Sequence, residues 1–166
     1  MTNPPPGTVS YLDASALVKR YVAETGSSWI IALCHPPTGN TIATARITKA
    51  EAAAAFTSKL RSGGLSQIHC AGALQDLAHD FAHQYLLVEI DEALVDLAVD
   101  LTQRRKLRGY TQCPADDAVQ LAAALTLNDV LTQAQFPPLT FVAADDDLLQ
   151  AAQGEGLAAD NPNWHP

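Results

Sequence analysis

The chain has 166 residues and 48% hydrophobic content, enough for one domain with a core of two or three layers and too apolar for a disordered chain. Its apolar runs are too short to span a bilayer, no basic stretch precedes an apolar run at the N-terminus, and Cys34, Cys70 and Cys113 show no C-x-x-C spacing. These features predict a cytoplasmic protein with free thiols and no membrane partner. The net charge of −8 is uneven: ten bases balance ten acids through Arg108, after which eight acids follow without a base. A nucleic-acid partner is therefore not excluded by the acidic total.

In chain order, residues 1–7, with Pro4-Pro5-Pro6, read as an extended arm. Val9–Asp13 reads as a buried strand and Ser15–Tyr21 as a helix that Ser15 can cap. A short helix over Trp29–Cys34 stops before Pro36-Pro37, and the β-branched run Thr41–Ala45 is a second strand. The Ala-rich segment Ile47–Leu60 predicts a helix ending at Gly63-Gly64. Ser66–Gln84 predicts another, with Cys70, Leu74, Leu77 and Phe81 as its core stripe.

Tyr85–Ile90 is a third strand, and Asp91 caps a helix that ends in the basic run Arg104–Arg108. Pro114 opens a helix through about Asn128; Asp117 shares a stripe with buried positions there, and Asp116 shares the wetter side with Gln120. Leu139–Ala144 is a fourth strand, Asp145-Asp146-Asp147 open a last helix over Leu148–Gln153, and Leu157–Ala159 is a short final strand. Strands alternating with helices predict an α/β fold whose parallel sheet of four to five strands is covered on both faces. The domain is expected over residues 8–161, with 162–166 as a C-terminal tail.

Two acids, Asp13 and Asp145, follow strands, and two more, Glu51 and Asp117, sit near helix starts. All four can project from one edge of a parallel sheet, where such folds bind ligands. Clustered carboxylates repel one another and call for a cation. Hard oxygen donors with water left in the shell favour Mg²⁺ or Mn²⁺ over zinc. Such ions promote in-line displacement at a phosphodiester, with Lys and Arg on the flanking backbone. Arg20, Arg46, Arg104, Arg105, Lys106 and Arg108 are the candidates for that contact. Ser15 is a candidate to hydrogen-bond a carboxylate, a water or a phosphate oxygen. For Asp13 the plain alternative is a helix cap.

The string Tyr11-Leu12-Asp13-Ala14-Ser15-Ala16-Leu17-Val18-Lys19 resembles the opening motif of PIN-domain ribonucleases, particularly VapC-type toxins of toxin–antitoxin pairs. Ile47–Ala53, Asp116–Ala122 and Phe141–Leu149 resemble the later acidic motifs, with Glu51, Asp117 and Asp145 in the acidic positions and Asp147 as a further ligand candidate. The resemblance implies a PIN-like three-layer α/β/α sandwich and metal-dependent endonucleolytic cleavage of RNA. It also implies a homodimer and a cognate antitoxin that covers or disturbs the site. Gln120 stands where the third motif often has histidine, which points to altered substrate handling.

Receiver domains and dehalogenase-type phosphatases also place acids at strand ends, but both need a late lysine and none follows Lys106. A PIN-like module that binds RNA or protein without cutting remains the rival, and activity of an Asp13→Asn variant separates the two. His79 and His83, spaced i, i+4 with Asp76 and Asp80 beside them, read as a solvated helix face rather than a metal site. Trp29 reads as packing; Trp164 is open between packing and stacking on a base.

Overall fold

A computed structural model describes residues 7–105 and 114–165. Five parallel strands, β1 (Val9–Leu12), β2 (Thr41–Ala45), β3 (Leu86–Val88), β4 (Thr140–Val142) and β5 (Ala158–Asp160), form one sheet in the order β3-β2-β1-β4-β5. Helices α1 (Ala14–Leu17), α2 (Ser27–Leu33), α3 (Thr48–Arg61) and α4 (Gln67–His83) cover one face. Helices α5 (Glu92–Arg105), α6 (Pro114–Gln133) and α7 (Asp146–Gly154) cover the other. Successive strand residues point to opposite faces. Leu12, Ile42 and Val142 therefore pack with Phe56 and Leu77 on the α1–α4 side, while Tyr11, Ala43 and Phe141 pack with Leu101 and Leu121 on the other. This is the expected three-layer α/β/α sandwich.

The strand order sets the site. From β1 the chain steps outward through β2 to β3, then returns to place β4 and β5 on the other flank of β1. The winding reverses between β1 and β4, and loops leaving these two strands diverge above the sheet to open a crevice at their carboxyl ends. Asp13 follows β1 directly and Asp145 lies three residues past β4, so both stand at that crevice.

Several local expectations are corrected. Asp13, not Ser15, caps α1: its carboxylate accepts from the Ala16 N–H at 2.9 Å. The helix then tightens into a 3₁₀ turn over Val18–Arg20. α6 runs to Gln133, beyond the expected end near Asn128, because no glycine or proline stops it before Pro137; Asn128 instead accepts from the Leu139 N–H at 3.1 Å and holds the entry to β4. On α4, His79 and His83 are exposed as expected and stack on each other, with ring centroids 4.5 Å apart. Asp80, beside them in sequence, is buried, and Leu74 is partly exposed while Ala73 takes its place in the core stripe.

The segment read as a tail is packed. Pro162–Trp164 forms a 3₁₀ turn on α2, and His165 stacks on Trp29 with centroids 4.4 Å apart. Gly26 makes this approach feasible: its φ is 83°, and a Cβ there would lie 2.3 Å from the Pro162 carbonyl oxygen. Among the described residues, no helix is long and apolar enough to cross a membrane.

Candidate active site

A cleft of about 1180 Å³ opens at the switch point, lined by Asp13, Glu51, Asp116, Asp117, Asp145, Asp146 and Asp147. The four carboxylates singled out in the sequence therefore share one cavity, although they come from four separate segments. Asp13 is 5% exposed. Ser15 Oγ donates to its carboxylate at 2.7 Å and in turn accepts from the Ala144 N–H at 2.8 Å. Ser15 thus clips the β1 loop to the β4 loop and fixes the Asp13 carboxylate. Asp145 caps α7, accepting from the Asp147 and Leu148 N–H groups at 2.9 and 3.1 Å. Both acids are caps and cleft residues at once, so the alternative weighed for Asp13 is compatible with a functional role.

Glu51 sits in the first turn of α3, and the cleft wall continues down that helix through Ala54, Ala55, Ser58 and Lys59. These positions are i, i+3, i+4, i+7 and i+8, one face of the helix. The two alanines leave the space that the cleft occupies. Asp117 lies in the first turn of α6, one turn before Gln120. Gln120 is not on a wet side: it is 2% exposed and joins three elements. Its Oε1 accepts from the Tyr11 hydroxyl at 2.7 Å, and its Nε2 donates to Thr48 Oγ1 at 2.8 Å and to the Glu51 carboxylate. A side chain expected to tune substrate handling is in place to orient Glu51. Hydrogen-bonding partners from β1 and α3 outcompeted the helical-stripe logic that had placed Gln120 near solvent.

The carboxylates are charged at a cost. Burial pushes Asp13 up to about 6, with Asp145 adding repulsion against the lowering bonds from Ser15 and Ala16. Burial raises Glu51 to about 7, helped by the charges of Asp116, Asp13 and Asp117 and opposed by Gln120. Burial also raises Asp117 to about 7, with Asp145 and Asp13 the main charged contributors. Uncompensated negative charge in a crevice is the condition a divalent cation relieves.

The donors are all carboxylate oxygens, which suits Mg²⁺ or Mn²⁺ rather than zinc. Among the described residues no three acids, histidines or cysteines converge on one ion position. Mg²⁺ keeps several waters and is usually bound through one or two carboxylates; Asp13 and Asp145, after β1 and β4, both line the cleft.

The same cleft also holds two lysines that the sequence pattern did not single out. Lys19, nearly buried, donates to Glu24 Oε2 at 3.2 Å and to the Thr25 carbonyl at 3.0 Å, and Lys59 pairs with the same glutamate. All three side chains line the cleft. Burial alone would raise Glu24, but the two ammonium groups outweigh it and hold the carboxyl below its usual value. For Lys59 the signal was present in the spacing, eight residues past Glu51 on one face of α3; Lys19 lies in the 3₁₀ turn after α1, where the α-helical stripe no longer applies.

The cationic candidates named from sequence fare differently. Arg20 is absent from the cleft. It is held by Asp80 at 3.0 Å, Tyr85 Oη at 3.0 Å and Gln84 Oε1 at 2.7 Å, in a half-buried network that also includes Tyr21. Its guanidinium is thus engaged by protein groups away from the carboxylates. Arg46 lies in a separate shallow groove with Ile47, Lys49 and Ile90, paired with Glu89. Arg104 is exposed and paired with Asp100 and Glu155 on the outer helices. Lys106, Arg108 and the side chain of Arg105 lie outside the described residues, as does Cys113; Cys34 and Cys70 are buried free thiols.

No family model matches the chain, and no curated protein matches it in sequence. Solved structures do match in fold. PAE2754 from Pyrobaculum aerophilum is similar over 98% of this chain and 95% of its own, at 17% identity and a TM-score of 0.60. VapBC2 from Rickettsia felis, bound to a DNA fragment from its promoter, is similar over 93% of this chain and 98% of its own, at 13% identity and a TM-score of 0.59. VapC20 from Mycobacterium tuberculosis, a Sarcin-Ricin loop cleaving toxin, is similar over 91% of this chain and 97% of its own, at 15% identity and a TM-score of 0.56. The chain is thus an α/β domain of PIN-like fold with a carboxylate-lined cleft at its switch point. In fold it is similar to VapC-type toxins, as its motifs suggest.

Proposed function

We propose that the chain is a metal-dependent endoribonuclease acting as the toxin of a toxin–antitoxin pair. The carrying observation is the convergence of Asp13, Glu51, Asp117 and Asp145 on one cleft at the sheet's switch point, which Lys19 and Lys59 also line. The cleft exceeds the roughly 300–1,000 Å³ of small-molecule pockets, which suits a polymer. Fold likeness to an RNA-cleaving toxin supports the same reaction class.

In this reading Asp13 and Asp145, rigid because each is also a helix cap, would hold Mg²⁺ or Mn²⁺ directly or through water, and Glu51, Asp117 and Asp147, which line the same cleft, would act on it through bound waters. The bound cation supplies charge that stabilises the phosphodiester under in-line attack. One of the four carboxylates orients the attacking water, and Gln120 keeps Glu51 turned into the cleft. Lys19 and Lys59 attract the flanking phosphates. The protein works in the cytoplasm as a homodimer, and its cognate antitoxin silences it by covering the cleft.

Cleavage of RNA in Mg²⁺ or Mn²⁺, its loss in chelator, and its loss in well-folded Asp13→Asn and Asp117→Asn variants are the expected results. Full activity in both variants rules the mechanism out. RNA that the wild type binds but never cuts assigns the fold to a binding module.

A further inference from the structure

Trp164 is 58% exposed, whereas the other tryptophan, Trp29, is 3% exposed in the core. Exposure of an indole is ordinary at a loose terminus, but the turn carrying this one is firmly held. Asn161 donates to Asp146 Oδ1 at 2.8 Å and accepts from the Asn163 N–H at 2.9 Å, which ties the turn to the start of α7 beside Asp145. His165 is bonded to Asp160 at 2.8 Å while its ring lies on Trp29, and Pro162 is buried against Gly26. The fold thus pins both sides of residue 164, yet leaves its ring in solvent at the lip of the carboxylate cleft.

A pinned aromatic face in a cleft that also holds lysines is an arrangement by which proteins hold unpaired nucleotides: bases stack on the ring while cations track the backbone. We infer that Trp164 is a stacking platform that positions one unpaired base of the RNA next to the cleavage centre. This rests on the nuclease reading for the identity of the polymer. A duplexed base has no free face to offer the indole.

The test is fluorescence anisotropy of a labelled single-stranded RNA and of the same strand in duplex. The full-length Asp13→Asn chain serves as non-cutting background, alone and with Trp164→Ala or Trp164→Phe. Base–aromatic stacking is worth about 1–3 kcal/mol, so Trp164→Ala should weaken single-strand binding roughly 5- to 150-fold, with Trp164→Phe recovering most of it and duplex binding unmoved. The ring is exposed, so the melting temperature should hold, which excludes unfolding as the cause. Equal single-strand affinity in the alanine variant, or an equal loss for duplex, overturns the inference and leaves Trp164 to a protein contact. Cleavage by the wild type in Mg²⁺, read in parallel, separates the two claims. Cutting with no effect of Trp164→Ala overturns only the platform. Aromatic-dependent binding without cutting upholds the platform and overturns the nuclease.

Discussion

Replacing Asp13 by asparagine should make the metal-free protein more stable at neutral pH. Asp13 is almost fully buried, and burial lifts its folded-state pKa to about 6 from an ordinary value of 3.8. A gap of about two pH units at roughly 1.4 kcal/mol each amounts to about 3 kcal/mol against the ionised folded state. The sign follows from proton binding. Between about pH 4 and 6 the folded chain holds a proton on Asp13 that the unfolded chain has released, so this residue's contribution to stability falls as pH rises through that window. Below about pH 4 both states are protonated and the penalty vanishes; above about pH 6 it is complete. The substituted amide retains the oxygen that accepts from the Ala16 N–H, so the α1 cap survives.

Thermal denaturation in chelator should therefore show the variant melting about 5–10 °C above the wild type at about pH 8, with the gap closing toward about pH 4. Millimolar Mg²⁺ at the same alkaline pH should raise the wild type more than the variant, since binding to the folded state alone stabilises it. A variant no more stable than wild type under those conditions, or a gap independent of pH, would refute the picture of Asp13 as a strained, uncompensated charge.

Other variants probe the surrounding parts. Gln120→Ala leaves the Tyr11 hydroxyl and Thr48 without their buried partner and should cost about 2–4 kcal/mol in denaturant unfolding, with RNA cleavage reduced as Glu51 loses its tether; unchanged stability contradicts its bridging role. Lys59→Gln should weaken RNA binding and lower the slope of log affinity against log salt by about 0.7, the single-strand value for one phosphate contact; an unchanged slope removes Lys59 from the backbone-binding wall. Arg20→Met strands the buried Asp80 carboxylate and should destabilise by about 3–5 kcal/mol. RNA affinity of the folded fraction should stay the same, and a selective loss of affinity would return Arg20 to the site.

The sheet was readable because its strands are short, apolar and turn-bounded, β2 being rich in β-branched residues, and because Asp13 and Asp145 follow strand ends. Thr41–Ala45 was located to the residue, and Asp13, Glu51, Asp117 and Asp145 do share a cleft. What escaped was set by long-range partners. Gln120 is drawn inward by Tyr11 and Thr48, which are 109 and 72 residues away. Arg20 was named as a candidate and its neighbour Lys19 was not, whereas the 3₁₀ turn after α1 leaves Lys19 lining the cleft and Arg20 paired with Asp80. Local pattern cannot see a buried ion pair formed with another helix. Pro162–His165 looked like a free end, since the close seat that Gly26 provides lies far upstream in the chain.

Four distant segments bring their carboxylates to one cleft, and anomalous scattering from Mn²⁺ in crystals of the protein locates any ion they hold. A peak is expected in the cleft, about 2.1 Å from a carboxylate oxygen of at least one of Asp13, Glu51, Asp117 and Asp145 and within water-mediated reach of a second. No peak there at millimolar Mn²⁺, or a peak held by other residues, would contradict that expectation.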